Sequence, residues 1–462
     1  FCRGVANQYS ARVMRNLFLQ LSGFERLDLL VRCPVAVVLV SLLFSPGRAE
    51  SGSEQEAWID DDALVRETFP ITDDERDRLI RLESAGLVTI RPVALPTGKF
   101  LAGENKHLGW PVGIKVGDTL LCAYHRTRHH HGTGPQHDDD SSAAMVVRST
   151  DGGDTWSDPV DLRQFGQSEA EMVINFGVCL GEQDGQVFLA NKYGVYRSAD
   201  EGVSWELLPG AMTQGKTGHA YRDNVGPRMV QHPEKGLVIP VGIGRAAGLD
   251  LYSSNDLGMN WTHERVDLPD GSHPLEPTAI YHDRLLIFVS RNHSLPFKWF
   301  GEMTTSEPPV MMVSDTGWFP MTHQGLTNIA SYRWPDTTDV AFNPVTQRFE
   351  AVVTNRNGGV GEAEEDEENA QTVNLWSISP ADLYAGRAQN WRFECTLLSL
   401  RSGMGTFLPT DVDAAHPGGA IIDEERGLQH IFIYAGTYAT PTGIYRISRT
   451  LNTDRLRDGI GK

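Results

Sequence analysis

After residue 86 the chain is a succession of short apolar and β-branched runs broken by Gly, Asp, Asn and Pro. Runs of this length, bounded by turn formers, predict strands rather than helices. His107 to Arg126 reads as a hairpin: Leu-Gly-Trp-Pro-Val-Gly-Ile-Lys-Val, a turn at Gly117-Asp118, then Thr-Leu-Leu-Cys-Ala-Tyr. Residues 172–205 form a second unit, with a turn from Gly181 to Gly185. Residues 225–261 form a third, with a turn from His232 to Gly236. The scheme recurs over 275–320, 336–376 and 411–447, the last ending Gly-Ile-Tyr-Arg-Ile. About six such units are predicted.

Three of the units carry one pattern. Ser149-Thr150-Asp151-Gly152-Gly153-Asp154-Thr155-Trp156 recurs as Ser198 to Trp205 and again as Ser254 to Trp261, the serines standing 49 and 56 residues apart. A worn copy is expected at Ser314-Asp315-Thr316-Gly317-Trp318. In the first copy Ser149 and Asp151 have side chains suited to accept from turn amides. Gly152 and Gly153 allow backbone angles that side chains forbid. Thr155 and Trp156 restart a strand. The pattern therefore predicts a hairpin end that folds on its own hydrogen bonds.

The segments before residue 86 read differently. Cys33 to Phe44 is an apolar run too short to span a bilayer comfortably, preceded by Arg26 and Arg32 and followed by Gly47-Arg48-Ala49. This predicts a leader over 1–49, with Met14 as initiator, cleavage near Ala49 and a secreted or periplasmic product. Residues 50–85 are expected to be a linker and a short helix from Thr72 to Ala85, opened by a Thr72/Glu75 capping box. Residues 86–462 are then one domain.

Charge narrows the partners. The formal net charge is −19. Six Arg against Glu25 and Asp28 make residues 1–49 net +4, which leaves the body near −23. Such a body excludes nucleic acid and anionic membranes as general electrostatic partners. An anionic substrate would need a local cluster of Arg. Three of the five cysteines, Cys122, Cys179 and Cys395, fall in the body. An odd, widely spaced set predicts buried free thiols, with a Cys122–Cys179 bridge as the alternative. No phosphate loop or dinucleotide fingerprint is present, and no cofactor is expected. His129, His130, His131 and His137 are read as an exposed loop, not a metal site. The acidic run from Glu362 to Glu368 is read as a solvated excursion.

The repeated pattern resembles the Asp-box (BNR) repeat of the sialidase superfamily. The resemblance covers most of residues 105–450 and is firmest in the boxes and in the 275–292 hairpin. It implies an all-β, six-bladed β-propeller whose boxes close outer hairpins and carry no chemistry. Glu276 and Arg291 stand where the family keeps a Glu beside the nucleophile and an Arg that grips the substrate carboxylate. Asp139 lies in the loop of the acid/base Asp, and Tyr332 opens a later unit where a nucleophilic Tyr would lie. A phenolic nucleophile suits sialosides, because a substrate carboxylate beside the anomeric carbon repels an anionic one. Glu276 would take the phenolic proton, and Arg356 would be a second carboxylate clamp. One family position departs: Gly109 stands where the first-blade Arg is expected.

The implied function is exo-hydrolysis of glycosides of an acidic, carboxylate-bearing sugar by a secreted monomer. An acidic oligo- or polysaccharide is its partner, with no nucleic acid and no membrane after leader cleavage. Two alternatives stand beside it. Polysaccharide lyases acting on uronate polymers also use Asp-box propellers, and here His107, His125 and Tyr221 would serve as base and acid while Arg245 neutralises the uronate carboxylate. A glycan-binding propeller without chemistry is the other.

Overall fold

The computed structural model describes residues 81–82, 84–95, 107–127, 143–170, 172–174, 177–213, 223–243, 248–267, 273–289, 291–293, 306–329, 338–355, 370–401, 412–414, 418–437 and 442–459. The chain divides into Phe1–Trp58 and Ile59–Lys462, and every described residue belongs to the second unit. The expected leader and linker lie outside the described residues, as does most of the expected helix; its last turn closes with Ala85 N donating to Arg81 O.

The strands build a six-bladed β-propeller of antiparallel sheets. Blade one is His107–Val116, Thr119–Thr127, Ala143–Ser149 and Val160–Asp161. Blade two is Cys179–Gln183, Gln186–Asn191, Gly194–Ser198 and Glu206–Leu207. In blade three, Asp223–Val225 and Val230–His232 share the partner Gly236–Ile243, followed by Gly248–Ser254 and Thr262–Asp267. Blade four pairs Thr278–His282, Arg284–Val289, Val310–Val313 and His323–Leu326, with a three-stranded extension of His273–Leu275, Arg291–His293 and Ser306–Glu307. Blade five is Asp339–Asn343, Arg348–Asn355, Ala370–Ile378 and Arg392–Arg401. Blade six sets Val412–Ala414 and Gly418–Asp423 against Leu428–Thr437, then Gly443–Thr450, and takes Val88–Ala94 as its outermost strand. The ring is thus closed by a strand from the other end of the domain.

Six buried apolar clusters fill the six junctions between blades. Val112, Leu121 and Val146 of blade one meet Leu180, Leu189 and Tyr196 of blade two. Phe188 and Ala190 of blade two meet Leu237 and Ile239 of blade three. The same alternation continues round the ring. Neighbouring residues of one strand therefore serve opposite junctions, as the period of two demands. Each fully buried aliphatic side chain contributes roughly 1.5–3 kcal/mol, against about 0.5–1.5 kcal/mol net for a hydrogen bond, so the junctions dominate stability.

This alternation corrects the alternative reading of the cysteines. Cys122 faces the junction of blades one and six, while Cys179 faces that of blades two and three. They point away from each other, and all three body cysteines are buried free thiols. The turn expected from Gly181 to Gly185 is also shorter than read: Gly181 pairs with Phe188, and only Asp184 and Gly185 make the turn.

The repeated Ser-x-Asp turns explain themselves. Ser149 Oγ donates to Asp151, Gly153 N donates to Ser149 Oγ at 2.7 Å, and Thr155 gives both its amide and its hydroxyl to Asp151. The same set holds at Ser198/Asp200/Gly202/Ser204 and at Ser254/Asp256/Gly258/Asn260. Two consecutive left-handed residues shape each turn, and the first of them is non-glycine in Glu201 and Leu257. The second is always Gly because the turn is pressed onto the preceding blade. A Cβ on Gly202 would lie 2.4 Å from Leu121, one on Gly258 2.8 Å from Leu208, and one on Gly153 1.5 Å from the Arg446 guanidinium.

The other three blades reach the same docking by other means. Gly317 O accepts from His232 of blade three, but Asp315 pairs with Arg284 and His323 and does not hold a turn of the repeated kind. Blade five uses the short helix Pro380–Tyr384, whose Tyr384 hydroxyl donates to His282 O of blade four. Blade six uses the helix Thr453–Gly459, whose Thr453 hydroxyl donates to Glu350 of blade five. The segment that follows the third strand therefore ties each blade to the one before it; in blades one to five it leads to the fourth strand, and in blade six it is the helix after Gly443–Thr450.

Because the strands are antiparallel, these ties and the first hairpin turns share one face of the ring. The long connections, 128–142, 208–222, 327–338, 356–369 and 402–411 among them, join strand ends on the opposite face. Loops on a rigid scaffold are where binding and catalytic residues concentrate in general, which makes that second face the one on which to look for a site.

Candidate active site

The inner strands are interrupted on the way to the long-loop face, and proline marks the breaks. In blade one the register shifts between Gly109 and Val112, around Trp110-Pro111. In blade three the strand breaks at Gly226-Pro227, and in blade four at Glu276-Pro277. Proline has no amide to give to a ladder, so it belongs at such points. In blade four the register is the same on both sides of the gap, with Leu275 opposite Arg291 and Thr278 opposite Phe288. Glu276 therefore leaves the sheet without displacing it.

Glu276 is only 2% exposed and has a left-handed backbone, φ 54°. That conformation costs an ordinary residue about 1–2 kcal/mol and persists only when the surroundings dictate it. Two contacts do so. Gly226 of blade three lies so close that a Cβ there would sit 1.5 Å from Pro277 O. On the other side, the Thr278 hydroxyl donates to Asp339 Oδ1 of blade five at 3.3 Å.

Asp339 is itself the meeting point of the ring. It is fully buried, and besides Thr278 it accepts from Val340 N at 2.9 Å, from Ala420 N of blade six at 2.5 Å and from Arg228 Nη2 of blade three at 2.8 Å. Arg228 also donates to Ala420 O at 3.0 Å. Cys179 of blade two lies near enough to feel the pair: burial raises its thiol far above the ordinary range, and the Asp339 carboxylate adds to that. Inner strands of five blades thus converge on one ion pair at the axis.

Across the ring, His107 and His125 sit together at the long-loop end of blade one. Gly109 pairs with His125, and the His107 ring lies over Gly109, where a Cβ would be 2.3 Å from Cε1. Both histidines are buried against Trp110, at ring separations of 4.9 and 6.2 Å, and Tyr434 of blade six packs on His107 at 5.5 Å. The space beside Gly109 is filled by the His107 imidazole.

Of the residues expected from sequence, Glu276, His107 and His125 are described, and Arg291 is described in its backbone pairing. Asp139, Tyr332, Arg356, Arg245 and Tyr221 lie outside the described residues. The described strand ends that bracket them, such as Thr127 and Ala143 for Asp139 or Ile243 and Gly248 for Arg245, belong to the long-loop face. Sequence reasoning missed Arg228, Asp339 and Thr278. Asp339 and Thr278 each open the first strand of a blade, a position that becomes recognisable in sequence once the blades are counted. Among the described residues no group of His, Cys, Asp and Glu is arranged to hold a metal. No helix among them is long and apolar enough to cross a membrane.

No family model matches the sequence, and no curated protein matches it significantly. Solved structures do match in fold. A protein of unknown function from Dyadobacter fermentans aligns over 78% of this chain and 99% of its own, at 16% identity and TM-score 0.51. The NanB sialidase of Streptococcus pneumoniae aligns over 79% of this chain and 71% of its own, at 12% identity and TM-score 0.50. At these identities the likeness is one of fold.

Proposed function

We propose that the chain is a secreted glycoside hydrolase of sialidase-like build, acting on glycosides of a carboxylate-bearing sugar at the long-loop face. The observation that carries this reading is the seat of Glu276: a buried carboxyl in a left-handed backbone, directly beside the Leu275–Arg291 pair and followed by Pro277 and Thr278, which blades three and five hold. Strain maintained in this way is a mark of function. In this reading the repeated turns are Asp boxes and serve only the fold. Residues 1–49 are a leader, and 86–462 the catalytic domain.

The roles follow from charge. Asp139 protonates the leaving oxygen, Tyr332 attacks the anomeric carbon, and Glu276 takes the phenolic proton. Arg291 and Arg356 hold the substrate carboxylate by bidentate pairing. With Gly109 covered by His107, blade one offers imidazole in place of a permanent cation. Recognition would therefore rest on blades four and five.

A second reading draws on the His107–His125 pairing. Two imidazoles beside Trp110, with Tyr221 and Arg245 from the third-blade region, supply the groups an eliminating lyase needs. One assay separates the readings. Residues 50–462 are incubated with acidic polysaccharides and sialosides while absorbance near 235 nm and released sugar are followed together. Released sugar without absorbance supports hydrolysis. Rising absorbance marks an unsaturated uronate and overturns it in favour of elimination. Silence in both, from a folded protein, leaves a glycan-binding propeller.

A further inference from the structure

We infer that Asp339 and Arg228 are positioning residues for Glu276, acting through Thr278 from the axis of the ring. The inference rests on the reading of Glu276 as a working carboxyl and adds what holds it.

The argument is geometric. Glu276 lies in a short gap in the ladder of blade four, between the paired residues Leu275 and Thr278. A hold from the axis acts just beyond Pro277. The Thr278 hydroxyl is held by Asp339 Oδ1, and the other oxygen of that carboxylate is held by Arg228 Nη2 and Ala420 N. Arg228 is tied in turn to blade two, where Leu180 N donates to Pro227 O and Met229 N donates to Leu180 O. A shift of any of these blades at the axis is therefore passed to the residue two places after Glu276. A fully buried carboxylate facing four donors has one low-energy arrangement, which suits a fixed reference point. Placement of a reacting group within about 0.5 Å depends on such supporting contacts.

The hydroxyl of Thr278 is the link to test, because its removal leaves the Asp339–Arg228 pair intact. Thr278→Val and Thr278→Ser are compared with the unaltered protein by hydrogen exchange, following peptides that cover 273–282 and 348–355. The expected result is exchange about tenfold faster in 273–282 for Thr278→Val, no change in 348–355, and recovery in Thr278→Ser. With a turned-over substrate, kcat should fall about tenfold at unchanged KM, the acid limb of its pH profile should move, and Thr278→Ser should restore both. Unchanged exchange in 273–282, a uniform change across both peptides, or an unchanged kcat would overturn the inference. If the unaltered protein turns over nothing, the hydrolase reading falls and the exchange comparison alone decides the positioning role. Asp339→Asn serves as the harsher variant: if it folds, its exchange in 273–282 must rise at least as far as in Thr278→Val.

Discussion

Trp110 and Glu276 occupy matching points on opposite blades. Both have left-handed backbones, with φ of 53° and 54°, and both precede a proline. The carbonyls of Pro111 and Pro277 are each met by a glycine of the preceding blade, Gly418 and Gly226, where a Cβ would lie 2.0 and 1.5 Å away. The two breaks are one device used twice, with an aromatic residue on one side of the axis and a carboxyl on the other.

The glycines should be intolerant for that reason. Gly226→Ala and Gly418→Ala each drive a methyl group into backbone, which cannot swing aside as a side chain would. Each is expected to lower stability by about 1–3 kcal/mol, read as a drop in the denaturant midpoint. Gly226→Ala should also disturb whatever Glu276 does.

Glu276→Gln keeps the shape of the side chain and removes its charge. On the hydrolase reading it should lower kcat by about 10²- to 10⁴-fold while the melting temperature stays near that of the parent. Kinetics and calorimetry on one preparation check both halves.

The turn carboxylates set an acid limit. Asp151 is held far below the usual carboxylate range by the Thr155 hydroxyl and amide and by Ser149. Burial works against the Asp200 and Asp256 carboxylates, but hydrogen bonds from Ser204 and Asn260 outweigh it and lower both. Depressed folded values mean that this stability is present above about pH 4, the unfolded value, and is lost as pH falls through the folded values. Asn at all three positions should flatten the decline in urea midpoint between about pH 4 and 2.

His430 adds a second, milder dependence. It is buried in the junction of blades six and one, hydrogen-bonded to Ser448 and facing Asp423, Arg426 and Arg446, with Lys115 on Asp423. Burial pushes its value down to about 4, the Arg446 charge helps, and Asp423 opposes them. The unfolded chain then binds the proton first, so stability should fall from about pH 6.5 towards pH 4. His430→Gln should lose that slope in the same titration.

Glu350 of blade five and Arg449 of blade six form an ion pair that is almost wholly out of water, with Gln429, Thr453 and Asn343 completing it. Arg449→Met strands a buried carboxylate and should cost about 3–5 kcal/mol. Adding Glu350→Gln should recover much of the loss, because it removes the stranded charge. A double-mutant cycle in denaturant measures both.

The fold was legible because its signals are local. Ser149, Asp151, Gly153 and Thr155 satisfy one another within seven residues, so their spacing survives in sequence. The fourth copy at Ser314 kept the docking but lost the Ser–Asp hydrogen bonds of the other three, and blades five and six replace the turn by helices that carry no such signature. Ring closure by Val88–Ala94 was invisible, since its partner Gly443–Thr450 is more than three hundred residues away. The site divides in the same way. Glu276 is expected by resemblance, from its place at the start of a hairpin, whereas the Arg228–Asp339 pair joins residues 111 apart that share no pattern.

The borrowed outer strand has a consequence for the nascent chain. While the last blade is still inside the ribosome, Val88–Ala94 has emerged without its partner, and five blades stand in an open arc with two uncovered flanks. Unpaired strand edges and exposed apolar junctions are the surfaces on which chains misassociate. The interval between the emergence of blade one and that of Gly443–Thr450 is therefore when a folding helper would matter most, and a chain cut short before Gly443 should aggregate rather than persist as a smaller propeller.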